Sequence, residues 1–251
     1  MSGSIHIGTS GWSYKHWRGR FYQPGTRPED YLRIYASVFD CTEVNTTFYG
    51  TPTPETVEKW ASTVPQSFRF CPKMSRYLTH IKRLLDPEEP LQRFFAALAP
   101  IHQQLGPVLV QLPATLKYSA DRVEPFLQLL STQYSQFQFA LEVRHLSWLE
   151  DPVLDQLALH NIGLVISQSG VGFPYSEMVT ARTVFIRFHG PGALYASGYS
   201  TEDLQRWASR ILVWQAAAHD VWAFFNNDID GYATVDAQRL IELVRSGNSI
   251  S

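Results

Sequence analysis

The sequence predicts an α/β protein built as a single (β/α)8 TIM-type barrel, and three observations lead there. Eight short runs rich in apolar, β-branched and aromatic residues recur along 251 residues. Helical patterns separate most of them, and strands alternating with helices imply a parallel sheet with right-handed crossovers. Eight such units in a chain of this length fit the size of that barrel. No low-complexity linker or internal repeat divides the chain, so one domain over 1–251 is expected.

Strands are expected at 5–10, 41–48, 68–73, 107–112, 137–143, 162–167, 183–189 and 221–226. Helices are expected at about 29–39, 54–64, 91–105, 120–130, 152–160, 200–218 and 235–245. The clearest repeats Leu204, Trp207, Ile211, Trp214 and Ala218 behind Ser200 as N-cap, with Asp203 at the capping-box position. Thr53 followed by Pro54 opens another. Residues 168–182 lack helical periodicity, so the sixth crossover is expected to be irregular. An open doubly wound sheet is the rival architecture. GTSGW after the first strand departs from GxGxxG, so no dinucleotide site supports that rival and no cofactor is implied.

Hydrophobic residues make up 45% and charged residues 18%, a core-forming composition. The formal net charge of -2 excludes a global basic field that would recruit nucleic acid or acidic membranes, although a local basic cleft is compatible with it. Two cysteines, Cys41 and Cys71, fit a reducing compartment; without a CxxC they suggest neither a disulfide framework nor structural zinc. Both are expected as buried free thiols. No basic-then-apolar leader and no run of membrane-spanning length is present, so a soluble cytoplasmic protein without a membrane partner is expected.

In a barrel of this type the active-site residues sit at the C-terminal ends of the strands. Those ends carry Ser10, Glu43 with Asn45, Lys73, Gln111, Glu142 with Arg144, Ser167, Arg187 with His189, and Asn226, Asn227 and Asp228. Glu43 and Glu142 suit a general acid and base whose environments separate their pKa values; the bland alternative pairs each with Lys73 or Arg187. Lys73 is a phosphate ligand, an activated amine or an ion-pair partner. Arg144 and Arg187 suit bidentate recognition of carboxylate or phosphate. His189 is a proton shuttle, a metal ligand or a satisfied donor. The catalytic candidates are therefore Glu43, Lys73, Glu142, Arg187 and His189. The binding candidates are Trp12, Tyr14, Asn45, Tyr49, Gln111, Arg144, Asn226, Asn227 and Asp228.

Trp12, Tyr14, Trp17, Phe48, Tyr49 and Trp148 could stack a sugar or base, with Trp17 and Phe48 expected to be structural plugs. The HGPG run at 189–192 offers backbone amides to an anion. Glu43, Glu142, His189 and Asp228 lack metal-site spacing and lie among cations, so no metal is expected. NNDIDG fails as a calcium loop because Asn226 stands at its first position and Ala237 at its twelfth.

Several runs together resemble the family known as domain of unknown function 72. They are GTSGWSYKHW (8–17), FY (21–22), EVNTTFYGTP (43–52), FCPKMSRYLTH (70–80), LGPVLVQLP (105–113), LEVRHLSW (141–148), FIRFHG (185–190) and FFNND (224–228). The resemblance implies an uncharacterised TIM-type barrel and no particular activity. The chain departs from the resembling pattern at Ser167 and Gln168, where similar proteins tend to carry an acid. QLPATL also lacks a second proline.

These residues point to an enzyme acting on a small anionic, phosphate- or carboxylate-bearing, sugar-like molecule. Two other readings stay open. One is nucleic-acid binding or processing on the same cationic and aromatic face; the other is a non-catalytic ligand sensor.

Overall fold

The structure, a computed structural model, describes residues 2–170 and 172–248. Eight strands are present: β1 (Ile5–Thr9), β2 (Cys41–Val44), β3 (Arg69–Pro72), β4 (Val108–Gln111), β5 (Phe139–Glu142), β6 (Gly163–Gln168), β7 (Thr183–Phe188) and β8 (Asp220–Phe225). Every pairing between them is parallel. The closed eight-stranded barrel expected from the sequence is nevertheless not formed. Six strands make an open half-barrel in the order β1-β8-β7-β6-β5-β4, while β2 and β3 pair as a separate two-stranded sheet.

Two local causes interrupt the ladder. Between β1 and β2, the hydroxyl of Tyr35 accepts from the Thr9 N–H at 2.9 Å and donates to the Cys41 carbonyl at 3.1 Å. The phenol thus takes backbone groups that a ladder would pair. Gly8 beside it has no room for a side chain, since an added Cβ would lie 2.3 Å from the Cys41 carbonyl oxygen. A single bridge, Ser10 to Glu43, remains at this seam. Between β3 and β4 there are isolated bridges, Phe70 to Leu105 and Lys73 to Leu109. Pro72 and Pro107, which both lie in the gap between these bridges, have no N–H to donate.

The helices are α1 (Tyr31–Tyr35), α2 (Thr46–Tyr49), α3 (Pro54–Thr63), α4 (Glu88–Ala97), α5 (Ala120–Gln133), α6 (Asp151–Leu159), α7 (Thr201–Ala216) and α8 (Tyr232–Asn248). Ser200 caps α7 by accepting from the Asp203 N–H at 3.0 Å and donating to its carboxylate at 2.9 Å. Thr53 accepts from the Thr56 N–H at the start of α3. The described residues between β6 and β7 contain no helix. The strand expected over 41–48 stops at Val44, and Asn45 already has helical φ and ψ. Thr47 explains the stop, because its hydroxyl lies 2.8 Å from the Val44 carbonyl and 2.7 Å from that of Lys73. Among the described residues no helix is long and apolar enough to cross a membrane.

Each strand separates two apolar clusters. Val110, Leu141, Ile186, Ala223 and their neighbours join the large cluster beneath the helices. Residues of opposite parity form a second cluster on the inner face: Cys41, Cys71, Leu109, Ala140, Val165, Phe185, Trp222 and Phe224. Both sheets contribute to it, so it holds the two together. Its cysteines are free and buried, and burial pushes both thiols well above their ordinary pKa.

Removing the Tyr35 hydroxyl should strand a buried donor and a buried acceptor at the first seam. Tyr35→Phe is expected to lose about 1–3 kcal/mol in urea unfolding. An unchanged midpoint would show that the phenol does not hold that seam.

Candidate functional site

Two residues beyond the inner apolar cluster, the same parity carries Glu43, Lys73, Gln111, Glu142, Ser167, Arg187 and Asn226. A polar layer therefore lies directly on an apolar one, at the carboxyl ends of the strands where open α/β sheets bind ligands. Arg187 is its centre. Its Nε and Nη2 donate to the two oxygens of Glu43 at 2.8 and 2.7 Å, and its Nη1 to Glu142 Oε2 at 2.7 Å. The other oxygen of Glu142 accepts from Ser167 Oγ at 2.9 Å and Arg144 Nη2 at 2.5 Å, with His189 Nε2 at 3.2 Å.

Both carboxylates are 0% exposed. Burial alone would raise the Glu142 pKa, but Arg187 and Arg144 hold it well below the usual carboxylate range. The same carboxylates raise the Arg187 pKa against the opposing effect of burial. Asn226 Nδ2 lies 3.2 Å from His189 Nδ1, so the amide donates there and the Nε2–H faces Glu142. Burial lowers the His189 pKa to about 4, and the ring is neutral at pH 7.

A cavity of about 700 Å³ opens above this layer. Of the catalytic candidates, Lys73 and Arg187 line it; Glu43, Glu142 and His189 lie beneath and do not. Of the binding candidates, Tyr14, Asn45, Tyr49, Gln111, Asn226 and Asp228 line it. Tyr14 donates to the Ser10 carbonyl, while Asp228 is gripped by His16 Nε2 and Trp17 Nε1, each at 2.7 Å. Burial raises the pKa of both groups. Tyr49 is 80% exposed, its ring free to stack.

Three binding candidates lie elsewhere. Trp12 packs edge-on against Trp60 and Phe70. Asn227 is buried and donates to Asp236 and the Ser197 carbonyl. Arg144 lies under Phe173, its guanidinium carbon 3.4 Å from the ring centre. Its Nε and Nη1 are buried without a hydrogen-bond partner among the described residues.

The HGPG amides are not free for an anion either. Gly190 donates to the Tyr199 hydroxyl and Gly192 to Ser197 Oγ, both at 3.0 Å. Trp17 and Trp148 are buried structural rings, and Trp148 donates to the Leu116 carbonyl. Phe48 does more than plug: its ring faces Lys73 Nζ at 4.3 Å. Ser167, at the departure from the resembling pattern, donates to Glu142 instead of adding a carboxylate. Among the described residues no three His, Cys, Asp or Glu side chains gather in a metal-holding group.

Sequence reasoning missed His16, Arg76, Tyr195 and Ile229 as cavity residues. They come from connections after the strands, where no period fixes which way a side chain points. The only hint was proximity: Arg76 stands three residues after Lys73, and His16 lies within the GTSGWSYKHW run.

Lys73 differs from the other cations of the layer. Its Nζ donates to Gln111 Oε1 at 2.6 Å and, among the described residues, makes no ion pair with a carboxylate. Burial, then the positive charge of Arg187, brings its pKa down to about 8. Three cations, Lys73, Arg144 and Arg187, thus face two carboxylates.

Arg187→Met would leave Glu43 and Glu142 buried without their shared cation, at an expected loss of about 3–5 kcal/mol at pH 7. In the parent, the depressed Glu142 pKa gives stability that is present above the unfolded carboxylate pKa and lost as acid protonates the group. In the variant Glu43 keeps no cation and Glu142 keeps only Arg144, so acid that neutralises the buried negative charge relieves part of the deficit. Chemical unfolding at pH 7 and pH 5 should therefore show the deficit shrinking at the lower pH. A small deficit independent of pH would contradict this network.

Comparison with known proteins places the chain. A curated relative, the UPF0759 protein YecE of Escherichia coli K12, is 30% identical over 141 residues, 56% of this chain. That match spans about half the relative's length, 48%. A crystal structure of a DUF72 family protein from Thermotoga maritima superposes with a TM-score of 0.84 at 27% identity, covering 96% of this chain and 99% of the other. One from Enterococcus faecalis V583, a DUF72 family protein at 24% identity, gives 0.80 over 96% and 95%; it bears on the fold alone. The family model for the protein of unknown function DUF72 matches residues 6–250. With a match of that extent, the chain belongs to the DUF72 family.

Proposed function

We propose that this chain binds a small anionic molecule, phosphate- or carboxylate-bearing and sugar-like, in the cavity above Arg187, and that Lys73 is the group that acts on it. The observation that carries this reading is the charge imbalance of the polar layer. Glu43 and Glu142 are consumed by Arg187 and Arg144, and among the described residues the Lys73 ammonium at the cavity wall has no ion pair with a carboxylate. A buried charge without a counterion is unfavourable, and an anion would relieve it. Exposed Arg76 on the same wall adds a second cation.

The rest of the lining suits a polyhydroxylated ligand. Asn45, Gln111 and Asn226 offer amides, Asp228 offers an acceptor for hydroxyls, and Tyr49 offers a face for a ring. The carboxylates Glu43 and Glu142 do not serve as acid and base in this reading. Neither lines the cavity, and each is paired with arginine. Proton transfer instead falls to Lys73, whose pKa of about 8 sits near the operating range of a general base.

Titration calorimetry with a panel of sugar phosphates and hydroxy acids tests this, with the uncharged polyols as controls. Lys73→Met should weaken anion binding at least about tenfold, or about 1.4 kcal/mol. Lys73 is set among Arg187, Arg144, Glu142 and Glu43, with His80 nearby. Since its pKa is depressed to about 8, the ammonium is full below that pH and is lost above it. Anion affinity should fall as pH rises through about 8. Affinity that stays level to pH 9.5, or that survives in Lys73→Met, would overturn the proposal.

A further inference from the structure

The geometry around Lys73 points to a reaction and not only to a charge: we propose that its amine forms an imine with the carbonyl carbon of a small anionic aldehyde or ketone. The inference rests on the anion-pocket reading and narrows its substrate class.

Five features of the site support it. Lys73 is 8% exposed yet lines the cavity, so the amine is desolvated but within reach of a ligand. Gln111 Oε1 at 2.6 Å takes one N–H and fixes the nitrogen, while the Phe48 ring at 4.3 Å shields it. A carboxylate partner would stabilise the ammonium, and among the described residues Lys73 has no ion pair with one. Burial, and then the Arg187 guanidinium, disfavours the protonated form, which keeps a usable fraction of neutral amine near neutral pH. Lys73 also sits where Arg76 can hold an anionic group attached to the carbonyl compound.

The step balances without an outside reagent. The nitrogen lone pair adds to the carbonyl carbon as the C=O π pair moves to oxygen, giving a carbinolamine after proton transfer. The nitrogen lone pair then forms a nitrogen–carbon π bond and expels that oxygen as water, which carries both hydrogens of the amine and leaves a neutral imine. Nothing is oxidised or reduced. The imine nitrogen then takes up a proton from solvent, equivalent to the one the ammonium gave up beforehand. The protonated imine restores the positive charge beside Arg187 and draws electrons from an adjacent C–H or C–C bond.

The test uses the full chain with pyruvate and dihydroxyacetone phosphate as carbonyl probes. Lactate and glycerol 3-phosphate match their charge without the carbonyl. Cyanoborohydride is added at pH 7.5, adducts are located by peptide mass mapping, and binding of all four compounds is measured by calorimetry without reductant. The expected result is an adduct on Lys73 from at least one carbonyl probe, formed before any on Lys15, Lys59, Lys82 or Lys117, and none from the other two compounds. Lys73→Arg should give no adduct at position 73, because it lacks the nucleophilic amine. Its melting temperature, checked against the parent, separates loss of the amine from loss of the fold.

Binding without an adduct at Lys73 overturns the imine and leaves the anion pocket standing. An adduct confined to the other lysines also overturns it. Absence of both binding and adduct overturns both readings.

Discussion

Arg187 donates from each of its three nitrogens to two carboxylates that have no solvent exposure, and the site is built around that arrangement. The geometry is costly to create, because three charged groups leave water together. It is stable only because the fork of Arg187 matches both oxygens of Glu43 and reaches Glu142 as well. Glu43 belongs to the two-stranded sheet, while Arg187 and Glu142 belong to the six-stranded one. The ion pair therefore crosses between sheets, above an apolar cluster drawn from both. Once Glu43 and Glu142 are committed to arginines, the lysine on the neighbouring strand is left over, and its amine acquires unusual properties.

The interrupted ladder belongs to the same account. A regular parallel pairing of β1 with β2 would use the N–H of Thr9 and the carbonyl of Cys41, which Tyr35 instead occupies. Strand counting could not reveal this. The patterns of apolar residues show which segments are strands and which side chains share a face, but not whether a phenol from the next helix enters between two of them. The prolines at the second seam were visible as residues, yet their effect depends on both falling in one gap, which is a matter of register.

The inward parity was legible. Glu43, Lys73, Gln111, Glu142, Arg187 and Asn226 were all placed on one face by counting in twos from the apolar residues before them. Roles were less legible than positions. Glu43 and Glu142 read equally well as acid and base or as ion-pair partners, and the choice turns on distances of under 3 Å to Arg187. Parity also failed beyond the strand ends. Asn227 turns to Asp236, and the glycine-rich run after β7 spends its amides on Tyr199 and Ser197.

Everything proposed for the site depends on Lys73 being an amine of depressed pKa without a carboxylate partner. Its titration can be followed directly by NMR on protein carrying 13C at the lysine ε-carbon, with Lys73→Arg used to assign the resonance. The account predicts a midpoint of about 8 for Lys73, apart from the other lysines. A midpoint at or above the ordinary lysine value of 10.5 would mean that a carboxylate holds the ammonium after all, and would contradict it.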